Sequence, residues 1–224
     1  MKIPAALPST PRGSSLEALV AAVAEIYERV GEDQRSFLEG AAARGAALAC
    51  PAGCGSCCEP FVPDILPAEA AFIAAWLLEN ERDLASRAAA WTAEDRPSTP
   101  PCPFFRRDVP SAPCAIYPAR PLVCRLFGAA GVRDREGRAS FRPCAHMQLS
   151  GYPPIGSPRS TMSGSELELF FGSAPPIMAD HASALVALYP SEVSERSPII
   201  EALPTALARH CLRLSLAQAV LERA

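Results

Sequence analysis

The sequence predicts a mainly α-helical protein whose helices pack around an irregular, proline-rich middle held by its cysteines. Three observations support this fold class. Apolar residues recur at helical spacing towards both ends of the 224-residue chain. Eight prolines fall between Pro97 and Pro121, and eight of the nine cysteines lie between Cys50 and Cys144. Helices are therefore expected at both ends, and little regular structure between them.

The first part of the chain predicts a tail and one long helix. Residues 1–13 contain three prolines without periodicity and predict a disordered tail, whereas residues 14–224 are expected to form a single domain. Ser14 and Glu17 have the spacing of a capping box at a helix start. Gly31 predicts an interruption, after which the alanine-rich run should extend the helix to Ala49.

Within the single domain, the cysteine-rich core is expected at about residues 50–146 and a helical C-terminal part at residues 160–224. Pro67 suits the first turn of a second helix, which should run to about Trp91. A short helical turn after Pro121 should carry Cys124, and one short β-hairpin is expected between residues 127 and 141. Further helices are predicted at residues 165–171, 179–188 and 204–222.

The cysteines form two sets whose spacing indicates metal binding. The first set is Cys50, Cys54, Cys57 and Cys58, and the second is Cys102, Cys114, Cys124 and Cys144. Cysteine binds metal as the thiolate, and two thiolates about 4 Å apart repel by roughly 4 kcal/mol at an effective dielectric near 20. Several ionised sulfurs in one pocket therefore need a cation, and we expect sulfurs from both sets to share one.

A disulfide framework is the main alternative, and it requires an oxidising compartment. The N-terminus lacks the apolar core of a signal peptide. Neighbouring cysteines such as Cys57 and Cys58 are also too close along the chain for an ordinary disulfide. Reduced thiols and a cytoplasmic location are therefore expected.

Composition excludes several function classes. The formal net charge is −3, which gives no electrostatic basis for nucleic-acid binding. The sequence contains no run of eighteen apolar residues, so no membrane span is predicted. No P-loop, HExxH helix or Ser/His/Asp pattern supports phosphoryl transfer or hydrolysis. A protein partner is compatible with the sequence but is not identified by it.

The residues resemble the YkgJ-type cysteine cluster family, also described as CxxCxxCC zinc- or iron-chelating proteins. The resemblance covers about residues 50–146 and rests on three blocks. They are the run from Cys54 to Cys58, the segment Pro67-Ala-Glu-Ala-Ala-Phe-Ile, and Cys102-Pro-Phe-Phe followed by Cys114-x-Ile-Tyr-x2-Arg120-Pro-x2-Cys124-Arg125. The first gap, Cys50-x3-Cys54, is one residue longer than the family pattern. The resemblance implies metal chelation, with either zinc or an iron–sulfur cluster as the cofactor.

The residues leave the ligand assignment open at several points. Eight cysteines allow two tetrads or one centre with spare thiols, and adjacent Cys57 and Cys58 can serve two centres or only one. Arg120 and Arg125 flank Cys124 and are expected to offset the negative charge of a thiolate centre and donate to sulfur, although Arg120 alternatively caps a turn. Cys211 is read as a buried helical thiol and His146 as a loop histidine.

Three hypotheses of function follow. The first is a metal-binding module, redox-active if the metal is an iron–sulfur cluster. The second is a zinc-stabilised protein-interaction domain without catalysis. The third is a metal-dependent enzyme that modifies a protein or cofactor. The spacing Cys50-x3-Cys54-x2-Cys57 also matches radical-SAM enzymes, but their α/β barrel needs strand–helix repeats that this sequence lacks.

Overall fold

The computed structural model describes residues 15–51, 53–92, 100–151, 161–188 and 195–222. The helices in these ranges are α1 (Ser15–Ala43), α2 (Pro67–Asn80), α3 (Arg82–Ala89), α4 (Leu122–Leu126), α5 (Ser165–Phe171), α6 (Met178–Ala187) and α7 (Ile199–Leu221). The strands are β1 (Ala47–Ala49), β2 (Asp64–Ile65), β3 (Val132–Arg133), β4 (Ala139–Phe141), β5 (Gln148–Ser150), β6 (Met162–Ser163) and β7 (Ser197–Pro198). The mainly α-helical fold class is therefore confirmed.

Three apolar cores hold these elements together. In the first core α2 packs against α7, with Ile73 and Leu77 facing Leu203 and Leu207, and α3 covers one side. In the second core α1 packs against α2, α4 and α6. In the third core Phe37 of α1 meets Phe141 and Phe171 in edge-to-face contacts. The cysteine-bearing loops are therefore supported by packed helices on more than one side.

Short antiparallel strands tie distant parts of the chain together. β1 pairs with β5, β2 pairs with β7, and β3, β4 and β6 form a three-stranded sheet in that order. β3 and β4 are the hairpin expected between residues 127 and 141. The pairing of β1 with β5 matters most for the site, because these strands flank the two ends of the cysteine-rich segment.

The first helix differs from its predicted form at two points. Gly31 does not interrupt α1, because Val30 and Phe37 are almost completely buried and this burial outweighs a glycine penalty of about 1 kcal/mol. The helix also ends at Ala43 rather than Ala49. Gly45 takes a left-handed conformation with φ of +85°, and the N–H of Ala46 donates to the carbonyl of Ala41, which closes the helix end.

The other helix boundaries also differ from the predicted ones. The helix expected from Pro67 to Trp91 is broken at Glu81, whose backbone is not helical. The last helix begins at Ile199 rather than Pro204, so that Pro204 lies inside it. The earlier start buries Ile199 and Ile200, and the N–H of Ile199 donates to the carbonyl of Pro63.

The helix predicted at residues 165–171 has the observed bounds of α5. The helix predicted at residues 179–188 and the predicted end of the last helix each differ from the observed bounds by one residue. The predicted tail and the Ser14 cap lie outside the described residues. None of the described helices combines the length and the apolar character that crossing a membrane requires.

Candidate metal centre

Backbone hydrogen bonds bring the two cysteine sets into one region. The N–H of Cys102 donates to the carbonyl of Cys58 at 3.0 Å, which joins the second set to the first. Phe105 and Cys114 form an isolated antiparallel bridge, and the N–H of Ala115 donates to the carbonyl of Phe104 at 2.9 Å. Cys58, Cys102 and Cys114 therefore lie side by side against the first core.

Two glycines allow the first cysteine loop to approach the proline-rich loop. Gly53 has φ of +70°, and a Cβ at this position would lie 2.2 Å from the carbonyl oxygen of Pro110. A Cβ on Gly55 would lie 2.4 Å from the Phe105 ring. A side chain at either position would push the loops apart, so these glycines are needed for the contact.

Backbone amides point at several of the sulfurs. The backbone amide of Phe104 acts on Cys102 and that of Ile116 acts on Cys114, and each lowers the pKa of the thiol, while the N–H of Phe105 donates to the carbonyl of Cys102 at 2.9 Å. Amide donors also reach the sulfur of Cys57. Sulfur is a weak acceptor as a neutral thiol, whereas hydrogen bonds to an ionised acceptor are stronger. The arrangement is therefore suited to thiolates.

Four sulfurs are close enough for each to act electrostatically on the other three. They are Cys57, Cys102, Cys114 and Cys124, which we call the inner tetrad. Burial raises the pKa of Cys102 to about 11 and also raises the pKa values of Cys114 and Cys124. A hydrogen bond from the Cys58 thiol lowers the pKa of Cys57 to about 6, and the same bond raises the pKa of Cys58.

Arg120 lies beside the inner tetrad with an unused donor. Its positive charge acts on Cys57, Cys114 and Cys124. Its guanidinium carbon is 4.2 Å from the centroid of the Tyr117 ring. The Nε–H of Arg120 is buried, and no acceptor among the described residues bonds to it. A buried donor without an acceptor is costly, so this atom marks a place where an acceptor is expected.

Arg125 has a different environment. Its Nε donates to the carbonyl of Arg120 at 2.8 Å, its Nη2 donates to the carbonyl of Pro118, and its guanidinium lies 4.1 Å from the Tyr27 ring centroid. These contacts hold the loop that presents Arg120. Its expected donation to a metal-bound sulfur is neither supported nor excluded by these contacts and stays a prediction.

Glu69 was missed by the sequence analysis, although it anchors the same loop. Its side chain is completely buried and accepts hydrogen bonds from the Tyr27 hydroxyl at 3.0 Å and from the amides of Leu66 and Leu122 at 2.9 and 2.8 Å. Arg196 approaches Oε2, the oxygen that accepts from the Leu66 amide, at 3.5 Å. Glu69 thus fixes the first residue of α4, which carries Cys124. The sequence signal that could have identified Glu69 is a single carboxylate within the alanine-rich run that follows Pro67.

Four cysteines of the two sets lie outside the inner tetrad. Cys50 is exposed, whereas Cys54, Cys58 and Cys144 are half-buried. His146 is exposed, and Cys211 is buried in α7 away from both sets. All nine cysteines are free thiols, which contradicts a disulfide framework. Within the described ranges, no three Cys, His, Asp or Glu side chains are already close enough to hold a metal ion.

A concave surface lies directly beside the first cysteine loop. It has a volume of about 410 Å³ and is lined by Gly53, Gly55, Ser56, Glu59, Phe105, Arg106, Arg107, Pro110 and Pro113. Arg107 forms an exposed ion pair with Glu59 at its rim. An enzyme acting at the cysteines would need such a cavity, so the enzymatic hypothesis retains a structural basis.

Comparison with known proteins agrees with the chemistry of the cysteines. Residues 49–145 match the model of the CxxCxxCC family, described as a "putative zinc- or iron-chelating domain". This segment, which is less than half of the 224-residue chain, is similar to that family. The match covers every cysteine of the two sets and excludes Cys211. Neither the curated proteins nor the solved structures include a chain that matches this one.

Metal binding is therefore the function that the match to this family supports. Its description names zinc and iron without choosing between them, and it assigns no reaction. The hydrogen-bond donors around the inner tetrad support the same general conclusion from this chain's own residues.

Proposed function

We propose that this protein binds zinc or an iron–sulfur cluster through the thiolates of the inner tetrad. The observation that carries the proposal is the buried Nε–H of Arg120, which has no acceptor among the described residues and lies beside three of these cysteines. A metal-bound thiolate carries a negative charge and accepts hydrogen bonds. It would therefore pair with both the positive charge and the free Nε–H of the Arg120 guanidinium.

The charges of the inner tetrad support the same conclusion. Four thiolates with a divalent cation have a net charge of about −2, so a buried centre needs positive charge or amide donors nearby. Arg120 supplies the positive charge, and the amides of Phe104 and Ile116 supply donors. The same donors would suit either zinc or an iron–sulfur cluster, since both prefer thiolate ligands.

Binding requires the sulfurs to move closer together than they stand in the described structure. Ionised sulfurs repel each other, and a cation replaces this repulsion by attraction. The side chains involved are carried by short loops and by the five-residue helix α4, in which small rotations suffice. A bound zinc would stabilise these loops, whereas an iron–sulfur cluster would also provide a site for electron transfer.

Metal analysis tests the proposal. The full chain is purified both aerobically and anaerobically, and zinc, iron and acid-labile sulfide are measured per chain. A colourless protein with stoichiometric zinc and no sulfide identifies zinc. A brown protein with iron and sulfide identifies the cluster. A reduced, folded chain that binds neither metal refutes the proposal.

Two cysteine variants test the ligand assignment. Cys124→Ser should lose the metal, because it removes one of the four thiolates, and it should also reduce solubility by leaving reactive thiols unprotected. Cys211→Ser is the matched control, since Cys211 is also buried but lies in α7 and outside the family match. It should keep the full metal content. Unchanged metal in Cys124→Ser would contradict the assignment of this ligand.

A further inference from the structure

We propose that a groove along α7 binds a short apolar peptide whose two charged ends are free, a function separate from metal binding. The groove lies between α7 and the first turns of α1 and α2, and its volume is about 590 Å³. Cavities of about 300–1,000 Å³ are the usual size for small ligands. The described residues that line it include none of the cysteines of the two sets, so the proposal does not depend on the metal centre.

The floor of the groove is apolar and belongs to the first two cores. Ile65 of β2 and Ala70 and Ala71 of α2 form one part of it, and Ala206 of α7 forms another. Leu19 of α1 also lines the groove. Three of these five side chains are single methyl groups, which leaves space above the backbone of α2 and α7. Such a surface suits the aliphatic side chains of a ligand, because their burial removes apolar area from water.

The two ends of the groove carry opposite charges. Glu201 lies in the first turn of α7, and Glu195 lies just before the helix. Arg209 and Arg213 line the groove further along the same helix. An α-helix rises about 1.5 Å per residue, so the two arginines lie about 12 and 18 Å from Glu201 along the helix axis. This arrangement is complementary to an elongated ligand with a positive group at one end and a negative group at the other.

His210 adds a buried hydrogen-bond acceptor to the groove. The residue is 6% exposed, and its Nε2 lies 3.0 Å from the carbonyl oxygen of Ala71. Because a carbonyl only accepts, Nε2 carries the proton, and burial lowers the pKa of His210, so Nδ1 of the neutral ring is an acceptor. Nδ1 has no hydrogen-bond partner in the part of the chain that the structure describes, and the side chain lines the groove. A ligand with an N–H donor would supply the missing partner.

These features together favour a peptide over other elongated ligands. A peptide with free ends has an ammonium group, a carboxylate and amide N–H donors between them. Four extended residues span about 13–14 Å, which is close to the separation of Glu201 and Arg209 along the helix. A fatty acid would offer no donor to His210 and would place apolar atoms beside Glu201. The amino terminus should therefore lie near Glu201 and the carboxylate near Arg209 and Arg213.

Calorimetric titration of the full reduced chain with the tetrapeptide Ala-Leu-Leu-Ala tests the proposal. The N-acetylated and the C-amidated forms are matched controls, because each lacks one terminal charge. The free peptide should bind with a dissociation constant below about 1 mM. Each blocked form should bind at least about threefold more weakly, the effect expected from losing a charged contact at the rim of a groove. No binding of the free peptide, or equal binding of all three forms, would overturn the proposal.

Variants at the two ends test the orientation of the peptide. Glu201→Gln should weaken binding of the free peptide and leave the N-acetylated form unaffected, because that form has no ammonium group. Arg209→Met/Arg213→Met should weaken the free peptide and leave the C-amidated form unaffected. Arg87→Met is the control, since Arg87 is exposed on α3 outside the groove, and it should bind all forms as wild type does. Equal losses for free and blocked peptides would contradict the proposed contacts at that end.

A third variant tests the location of the site. Ala202 is only partly buried and lines the groove, so Ala202→Trp should fill the space without disturbing a tightly packed core. This variant should lose peptide binding while its far-UV circular dichroism and metal content stay as in wild type. Unchanged peptide binding would show that the peptide binds elsewhere and would overturn the groove. Absence of peptide binding in a protein that contains metal refutes the groove and leaves the proposed metal centre standing.

Discussion

A buried thiolate needs hydrogen-bond donors as well as a cation, and the residues around the inner tetrad are explained by these two needs. Amides donate to Cys102 and Cys114, and Arg120 adds a planar, permanently charged donor. The Tyr117 ring lies against the guanidinium and restricts its orientation. Arg120 should therefore affect metal affinity without binding the metal itself.

Arg120→Met should weaken metal binding by about 10–100-fold, the usual effect of removing a group that supports a ligand. Methionine keeps much of the apolar volume but removes the donor and the charge. Competition with a chelator of known affinity measures the change. Arg107→Met is the matched control, because Arg107 is exposed and pairs with Glu59 outside the tetrad. Equal affinities in Arg120→Met and wild type would show that Arg120 serves another purpose.

Proton release should show how many thiols ionise when the metal binds. At pH 7.5 Cys57 is ionised because its pKa is lowered to about 6, whereas Cys102, with its pKa raised to about 11, is protonated, as are Cys114 and Cys124. Since metal is bound by thiolates, about three protons should leave per metal at this pH. Affinity should consequently increase with pH and decrease on acidification, most steeply below pH 6, where Cys57 also becomes protonated.

Titration calorimetry in buffers of different ionisation enthalpy counts these protons. The pKa of Cys58 is raised by its hydrogen bond to Cys57, so Cys58 is protonated at pH 7.5. A release of about four protons would therefore indicate that Cys57 and Cys58 are both thiolates in the bound state, with Cys58 as an additional ligand. A pH-independent affinity would contradict thiolate ligation altogether.

At the scale of elements, the short helix α4 depends on a buried carboxylate. Five residues cannot form a stable helix alone, and α4 begins where the amide of Leu122 donates to Glu69. The same carboxylate holds Tyr27 of α1 and the start of α2. Glu69 thus connects three helices and sets the position of Cys124 relative to the proline-rich loop.

Glu69→Ala should lower the free energy of unfolding by about 3–5 kcal/mol, because it leaves several buried donors without an acceptor. Chemical denaturation monitored by circular dichroism measures the change. Glu79→Ala in the same helix is the control, since Glu79 is exposed, and it should change stability by less than about 0.5 kcal/mol. A similar small effect in both variants would show that the Glu69 network contributes little.

Sequence reasoning recovered elements where local signals and tertiary packing agree. Residues 165–171 and the hairpin between residues 127 and 141 were predicted, and α5 and the β3–β4 hairpin lie there. It failed where packing overrides a local signal, as at Gly31 and Pro204, both of which lie inside helices that bury large apolar residues. The β1–β5 pairing could not be predicted, because three-residue strands carry almost no periodic signal.

The candidate site also has parts that local sequence signals predict and parts that only the tertiary fold determines. The cysteines could be found because their spacing has a chemical reason, and the family match covers all eight. Their grouping depends on which backbone segments meet, and the sequence carries no signal for the contact between Cys58 and Cys102. Glu69 was missed because a single helical glutamate is usually exposed, and only the fold shows that this one is buried.

For the whole molecule, the cysteine region lies where the three cores meet. Cys102 belongs to the first core, Leu122 and Leu126 belong to the second, and Cys144 packs against the third. The helices of the cores contact each other directly, as α2 does with α7, so their packing does not require the cysteines. The loops between them have little regular structure and depend more strongly on a metal.

Removal of the metal should therefore loosen the cysteine loops while the helical frame persists. Amides in residues 53–63 and 100–126 should exchange hydrogen faster after chelation under reducing conditions, because opening these loops no longer breaks metal–sulfur bonds. Amides in α2 and α7 should keep their protection and serve as the internal control. Hydrogen exchange measured by mass spectrometry, with far-UV circular dichroism, provides both readouts. Loss of protection in α2 and α7 would show that the metal supports the whole fold, and unchanged exchange in residues 100–126 would show that the loop is held without it.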